Sequence, residues 1–161
     1  NENPLSAHLV RGTGHNERAT YSERPDDWEA NMARLWRKAE TARRLVPGPV
    51  IDRVPGAKMG VIYFGSTQPA VEEARARLAG EGIPSSAMRL RAIPFSDEVA
   101  AFVRDHAEVV VVEMNTDGQM RQLLQLEVPE EAGRIHSLRK NDGLPLTAGW
   151  IADGLRAGQG G

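Results

Sequence analysis

The chain has 161 residues, enough for one sizeable core, with no cysteine, 17 arginines among 20 basic residues, and a net charge of -2. Scattered arginines and near-neutral charge exclude a dedicated nucleic-acid surface. The lack of cysteine excludes thiolate-bound zinc, the usual iron–sulfur ligation and a disulfide framework within the chain.

The opening at Asn1, without an initiator methionine, reads as a piece of a longer protein. Residues 1–24 are loop-like, rich in Gly, Asn, Ser and Thr, with Leu5, Leu9 and Val10 as one apolar patch. A helix is expected from Pro25, whose missing N–H suits a first turn, with Asp26, Asp27 and Glu29 at the positive end of the dipole. Trp28, Met32, Leu35, Trp36 and Ala39 follow at helical spacing and predict one apolar stripe packed as core, with Glu40 and Arg44 able to pair. Pro47-Gly48-Pro49 stops this helix and opens a linker over 47–59.

From Gly60 the pattern alternates strand and helix. Val61-Ile62-Tyr63-Phe64 and Val109-Val110-Val111-Val112 are continuous apolar runs, as in parallel strands covered on both faces. Between them, Pro69 and Glu72-Glu73 start a helix that ends near Gly80-Glu81-Gly82. A strand follows over Ala87–Ile93, with Met88, Leu90 and Ala92 alternating against Arg89 and Arg91. Ser96 is placed to cap a helix carrying Val99, Phe102 and Val103. After the valine run come a turn at Asn115-Thr116-Asp117-Gly118, a helix with Met120, Leu123 and Leu124, a short strand at Ile135–Leu138, and a helix over Thr147–Leu155. Residues 157–161 read as a disordered tail. The sum is α/β: three layers around a mostly parallel sheet, with an N-terminal loop and helix extension.

Binding in such sheets occurs just beyond the strand ends. Gly65-Ser66-Thr67 sits there, where helix N–H groups favour anions, although a lone glycine serves equally well as a plain strand-to-helix turn. Glu113, Asn115 and Gln119 follow the valine strand. They either orient a ligand or partner, or else Asn115 or Asp117 caps the next helix while Glu113 pairs with an arginine. His15, Asn16 and Glu17 form an unusual polar cluster that suits docking or acid–base work, or simply satisfies loop backbone groups. His8, His15, His106 and His136 lack metal-ligand spacing, and no P-loop, nucleophile elbow or thiamine motif appears, so no complete active site is expected.

Arg11-Gly12-Thr13-Gly14-His15-Asn16-Glu17, Tyr21-Ser22-Glu23, Trp28, Asn31-Met32 and Glu40-Thr41-Ala42, with Gly65-Ser66-Thr67, Val112-Glu113-Met114-Asn115 and Gly118-Gln119-Met120, resemble the C-terminal part of the alpha subunit of 2-oxoacid:ferredoxin oxidoreductases. The polar loop and helix resemble the 2-oxoglutarate type more than the pyruvate type. The resemblance implies that residues 1–46 are the tail of a pyrimidine-binding-type domain and residues 60–156 a domain like the C-terminal domain of transketolase. It also implies a holoenzyme that decarboxylates a 2-oxo acid oxidatively with coenzyme A, giving acyl-CoA, carbon dioxide and reduced ferredoxin. Thiamine diphosphate, Mg and an iron–sulfur cluster would reside mainly on a partner beta subunit, with none bound by this chain alone. On that reading the chain assembles rather than turns over, none of its residues is catalytic, and its helix at Trp28 to Leu45, lacking its own domain, would expose an apolar face unless covered. His15, Asn16, Glu17, Ser66, Thr67, Glu113, Asn115 and Gln119 would face an interface or ligand. Its location would be cytoplasmic, with no membrane or nucleic-acid partner, since no apolar run approaches the roughly 20 residues of a spanning helix. The alternatives are a non-enzymatic α/β small-ligand module, or the same domain of a pyruvate or branched-chain 2-oxoacid oxidoreductase.

Overall fold

The computed structural model describes residues 2–4 and 12–158, so the expectations at Leu5, His8, Leu9, Val10, Arg11 and residues 159–161 lie outside the described residues. The chain divides into two compact units, Asn1–Leu45 and Val46–Gly161.

In the first unit, helix α1 spans Pro25–Leu45, with Asp26 and Asp27 in its first turn and Arg43 and Arg44 in its last, both complementary to the helix dipole. The apolar stripe is present but is not core. Trp28 and Trp36 are 59% and 73% exposed, and the buried residue of the helix is Asn31. The apolar spacing does mark one face of the helix, and the described residues of this unit form no sheet for it to cover. Glu40 pairs with Arg43, one residue short of the Arg44 expected.

The second unit is a five-stranded sheet in the order β1-β3-β2-β4-β5. Its strands are β1 (Val50–Asp52), β2 (Met59–Phe64), β3 (Ser85–Leu90), β4 (Glu108–Glu113) and β5 (Ile135–Arg139). All neighbours are parallel except β1, which runs antiparallel to β3. The helices are α2 (Gln68–Gly80), α3 (Asp97–Arg104), α4 (Gln119–Glu127) and α5 (Ala148–Gly158). Val71, Ala74 and Leu78 of α2 and Ile151, Ala152 and Leu155 of α5 cover one face with Val61, Tyr63 and Ala87. Val99, Phe102 and Val103 of α3 and Leu124 of α4 cover the other with Ile62, Met88 and Val111. Each of these fully buried aliphatic side chains contributes roughly 1.5–3 kcal/mol, which explains why β2 and β4 carry apolar residues at consecutive positions.

Three local expectations change. The span read as a linker contains β1, whose three residues are too few to show a period of two. The second strand runs Ser85–Leu90, earlier than Ala87–Ile93, because the pairing begins at Met59↔Ser85 and ends at Phe64↔Leu90. Ser96 occupies the N-cap of α3 without capping through its side chain. Its hydroxyl donates to Glu98, and its carbonyl takes the N–H of Val99.

Gly60, in the middle of β2, is a close-approach glycine: a Cβ there would lie 2.8 Å from Phe102 Cε1 and 3.1 Å from the His106 ring. His106 is itself pinned, its Nδ1 2.7 Å from the Phe102 carbonyl. We expect Gly60→Ala to destabilise the chain by about 1–3 kcal/mol through overpacking. Gly133→Ala, where a Cβ meets nothing within 4 Å, should stay within about 0.5 kcal/mol of the parent. Urea unfolding midpoints measure both.

Candidate functional site

The order of the strands fixes where a site can be. The chain leaves β2 for β3 on one side and returns to β4 on the other, so the loops after β2 and β4 diverge at the carboxyl end of the sheet. There a cleft of about 350 Å³ is lined by Gly65, Ser66 and Thr67 from one loop and by Met114, Asn115 and Gln119 from the other, with Leu123 at its apolar wall. The structure thus brings two sequence candidates, far apart in the chain, to one place.

On the β2 side, Gly65 takes φ +62, and the chain passes through a single 3-10 turn, Gly65–Thr67, into α2. Thr67 is only 5% exposed and Ser66 is exposed. Neither caps the helix through its side chain.

On the β4 side the organiser is Glu113. It is fully buried, and its carboxyl group accepts at both oxygens. Ser137 Oγ donates to Oε1 at 2.8 Å, while Asn115 Nδ2 and the Met120 N–H donate to Oε2 at 2.8 and 2.9 Å. The alternative in which Glu113 pairs with an arginine is not what the structure shows; Ser137, Asn115 and the Met120 N–H occupy its oxygens instead. Asn115 then caps α4 as one of the sequence alternatives held, its Oδ1 accepting the N–H groups of Gly118 and Gln119 at 2.7 and 3.2 Å. Gly118 takes φ +67, the left-handed region that favours glycine, and a Cβ there would also lie 3.2 Å from Ser137 Oγ. Glu113 therefore shapes the cleft from beneath, and Asn115 and Gln119 form its rim. Ser137 carried no sequence signal, since only the β4–β5 register brings it beside Glu113's strand.

His15, Asn16 and Glu17 belong to the first unit and serve loop structure. Asn16 Oδ1 accepts the N–H groups of Arg18 and Thr20, His15 Nδ1 lies 3.1 Å from the Thr13 carbonyl, and Asn31 donates to the His15 carbonyl. Glu17 makes no hydrogen bond with His15 and lines a groove with Arg18 and Arg34. The geometry offers no acid–base pair.

Among the described residues no group of three or more His, Cys, Asp or Glu could hold a metal ion. With no cysteine in the chain, its residues do not fit a cysteine-ligated iron–sulfur cluster. No described helix is long and apolar enough to cross a membrane.

No family model matches the chain. The chain is similar to the alpha subunit of 2-oxoacid:ferredoxin oxidoreductase from Saccharolobus solfataricus, with 27% identity over 96% of this chain and 25% of that protein. Among solved structures it is similar to 2-oxoglutarate:ferredoxin oxidoreductase from Magnetococcus marinus, determined with 2-oxoglutarate, coenzyme A and succinyl-CoA bound. That match has a TM-score of 0.77 and 26% identity, over 97% of this chain and 27% of that one. A split-gene transketolase, an inactive tetramer, shares the fold over 68% of this chain and 40% of its own, with TM-score 0.57 and 18% identity. The chain spans about a quarter of the length of its curated relative. The resemblance read from the motifs and the names of these relatives coincide.

We expect Glu113→Ala to cost about 3–5 kcal/mol, since it leaves three donors without an acceptor beside a new cavity. Glu113→Gln, which keeps one oxygen toward Asn115 and Met120, should cost about 1 kcal/mol. Urea titration gives the two costs, and faster amide exchange at Gly118–Met120 in the alanine variant reports loosening of the rim.

Proposed function

We propose that this chain is the C-terminal part of the alpha subunit of a 2-oxoglutarate:ferredoxin oxidoreductase, in which it organises assembly rather than carrying out turnover. The observation that carries the reading is the match to the Magnetococcus enzyme, which extends over 97% of the chain rather than over the α/β unit alone. The holoenzyme would convert a 2-oxo acid and coenzyme A to acyl-CoA and carbon dioxide while reducing ferredoxin, in the cytoplasm. What supports the 2-oxoglutarate type is the ligand set named for that relative and the polar loop around His15.

Residues 1–46 are the tail of a preceding pyrimidine-binding-type domain, 47–59 the connection, and 60–156 the transketolase C-terminal-like domain. Thiamine diphosphate, Mg and the iron–sulfur cluster belong to surfaces this chain does not supply, mainly on the beta subunit. Exposure of Trp28, Leu35, Trp36 and Leu45 along α1 supports an assembly role, because an apolar face of that extent is normally covered. The switch-point cleft, rimmed by Ser66, Thr67, Asn115 and Gln119, faces the rest of the enzyme or its ligand.

The test is turnover. The purified 161-residue chain, supplied with thiamine diphosphate, Mg, coenzyme A and 2-oxoglutarate, should consume no substrate. The complete alpha chain combined with its beta subunit should, with kcat/KM for 2-oxoglutarate exceeding that for pyruvate by at least about tenfold. Turnover by the chain alone would overturn the assembly role, and a preference for pyruvate would overturn the substrate.

A further inference from the structure

A second concavity lies away from the switch point, on the face that carries α2. It is a groove of about 500 Å³, floored by β3 with its neighbours β2 and β1 and walled by α2. Across this floor the register places Tyr63 of β2 beside Arg89 of β3, and Arg89 beside Val50 of β1. Side chains paired in this way project to the same face, so Tyr63 and Arg89 line one groove, with the Arg89 charge felt at the phenol.

Most polar groups here are already engaged. Arg75 donates to Asp52 at 2.9 Å and to the Ser85 hydroxyl and carbonyl, and Gln68 donates to Glu72 at 2.7 Å. Two groups are not. Arg89 Nε is buried with no hydrogen-bond partner, and Arg89 makes no ion pair among the described residues. Tyr63 is only 6% exposed, lines the groove, and its hydroxyl has no hydrogen-bond partner among the described residues. The rest of the Arg89 guanidinium and the Tyr63 hydroxyl carry hydrogen-bond capacity that no described protein group takes up, and a ligand in the groove would use it. An interior strand position is also an expensive place for an arginine whose role is only structural, since apolar residues would fill it.

We propose that Arg89 and Tyr63 bind the carboxylate of a small organic acid whose apolar body lies along Ala87, Ala76 and Ala79. The planar fork of Arg89 matches a carboxylate in two hydrogen bonds, and the phenol supplies a third donor. Charge selects a single negative head. The phenol is surrounded by Glu72 and Asp52 as well as by Arg75 and Arg89, and burial, then the field of Glu72, push its pKa up and keep the hydroxyl a donor. A dianionic phosphate would meet both carboxylates; a monoanion meets Arg89, which among the described residues has no ion pair. A volume near 500 Å³ lies within the range of small-molecule sites. The site is independent of the assembly reading above, and each can fail without the other.

The test is titration of the isotopically labelled 161-residue chain with hexanoate and benzoate, against hexanamide, benzamide and inorganic phosphate, followed by backbone amide shifts. The acids should give saturable shifts concentrated at Val50, Tyr63, Ala87 and Arg89, and the amides should bind at least about tenfold more weakly. Arg89→Gln should weaken binding by about tenfold or more, and Tyr63→Phe by several-fold. Should Arg89→Gln fold poorly, Val50→Glu serves in its place. It sets a competing carboxylate next to Arg89 from an exposed edge position and should abolish binding. Amides binding as tightly as acids, phosphate binding more tightly than the acids, or an unchanged affinity in these variants would overturn the proposal.

Discussion

The constraint on which the second unit rests is that β2 pairs in parallel with both β3 and β4 while both of its faces are covered. A parallel strand needs a crossover long enough for a helix, and a strand with two parallel partners needs crossovers to both sides. Helices must then cover both faces, which is why α2 and α5 collect on one and α3 and α4 on the other. The same arrangement opens the cleft at the carboxyl end, because the loops after β2 and β4 part company there. Core packing and site placement are two consequences of one connectivity.

The parts legible in the sequence are those where burial is extreme. Val109–Val112 and Val61–Phe64 cannot be anything but strands covered on both faces, and they fixed the sheet. Ser66, Thr67, Asn115 and Gln119 could be placed beside a cleft because strand ends are where such sheets bind. The remainder was hidden for identifiable reasons. β1 is three residues among prolines and glycines, so its strand character exists only through pairing with β3. Without β1, the alternation of Met88 and Leu90 with Arg89 looked like a strand with one solvated face. With β1 in place, Arg89 sits in the interior of the sheet, and an arginine there becomes a signal rather than a surface residue. The partners of Glu113, Ser137 and the Met120 N–H, are set by register and loop closure rather than by spacing, so no sequence pattern marks them.

The two units differ in what they complete. The α/β unit buries two apolar clusters, one on each face of its sheet, with Glu113 acting as acceptor for three donors under the cleft. The first unit leaves the apolar side of α1 uncovered, while its polar side is ordered by Asn16 and Asn31. A stable frame carrying an unsatisfied apolar helix and an open cleft suits a polypeptide that works within a larger assembly. Among the described residues, the polar groups at the cleft rim and in the His15 loop are engaged in local hydrogen bonds.

The most direct measurement is a structure of the assembled holoenzyme, with thiamine diphosphate and coenzyme A present. The account predicts thiamine diphosphate held entirely outside residues 46–161, α1 covered along Trp28, Leu35 and Trp36, and the Ser66–Asn115 cleft edge facing other parts of the enzyme or its ligand. Thiamine diphosphate enclosed by residues 60–156, with α1 still bare to solvent, would contradict it.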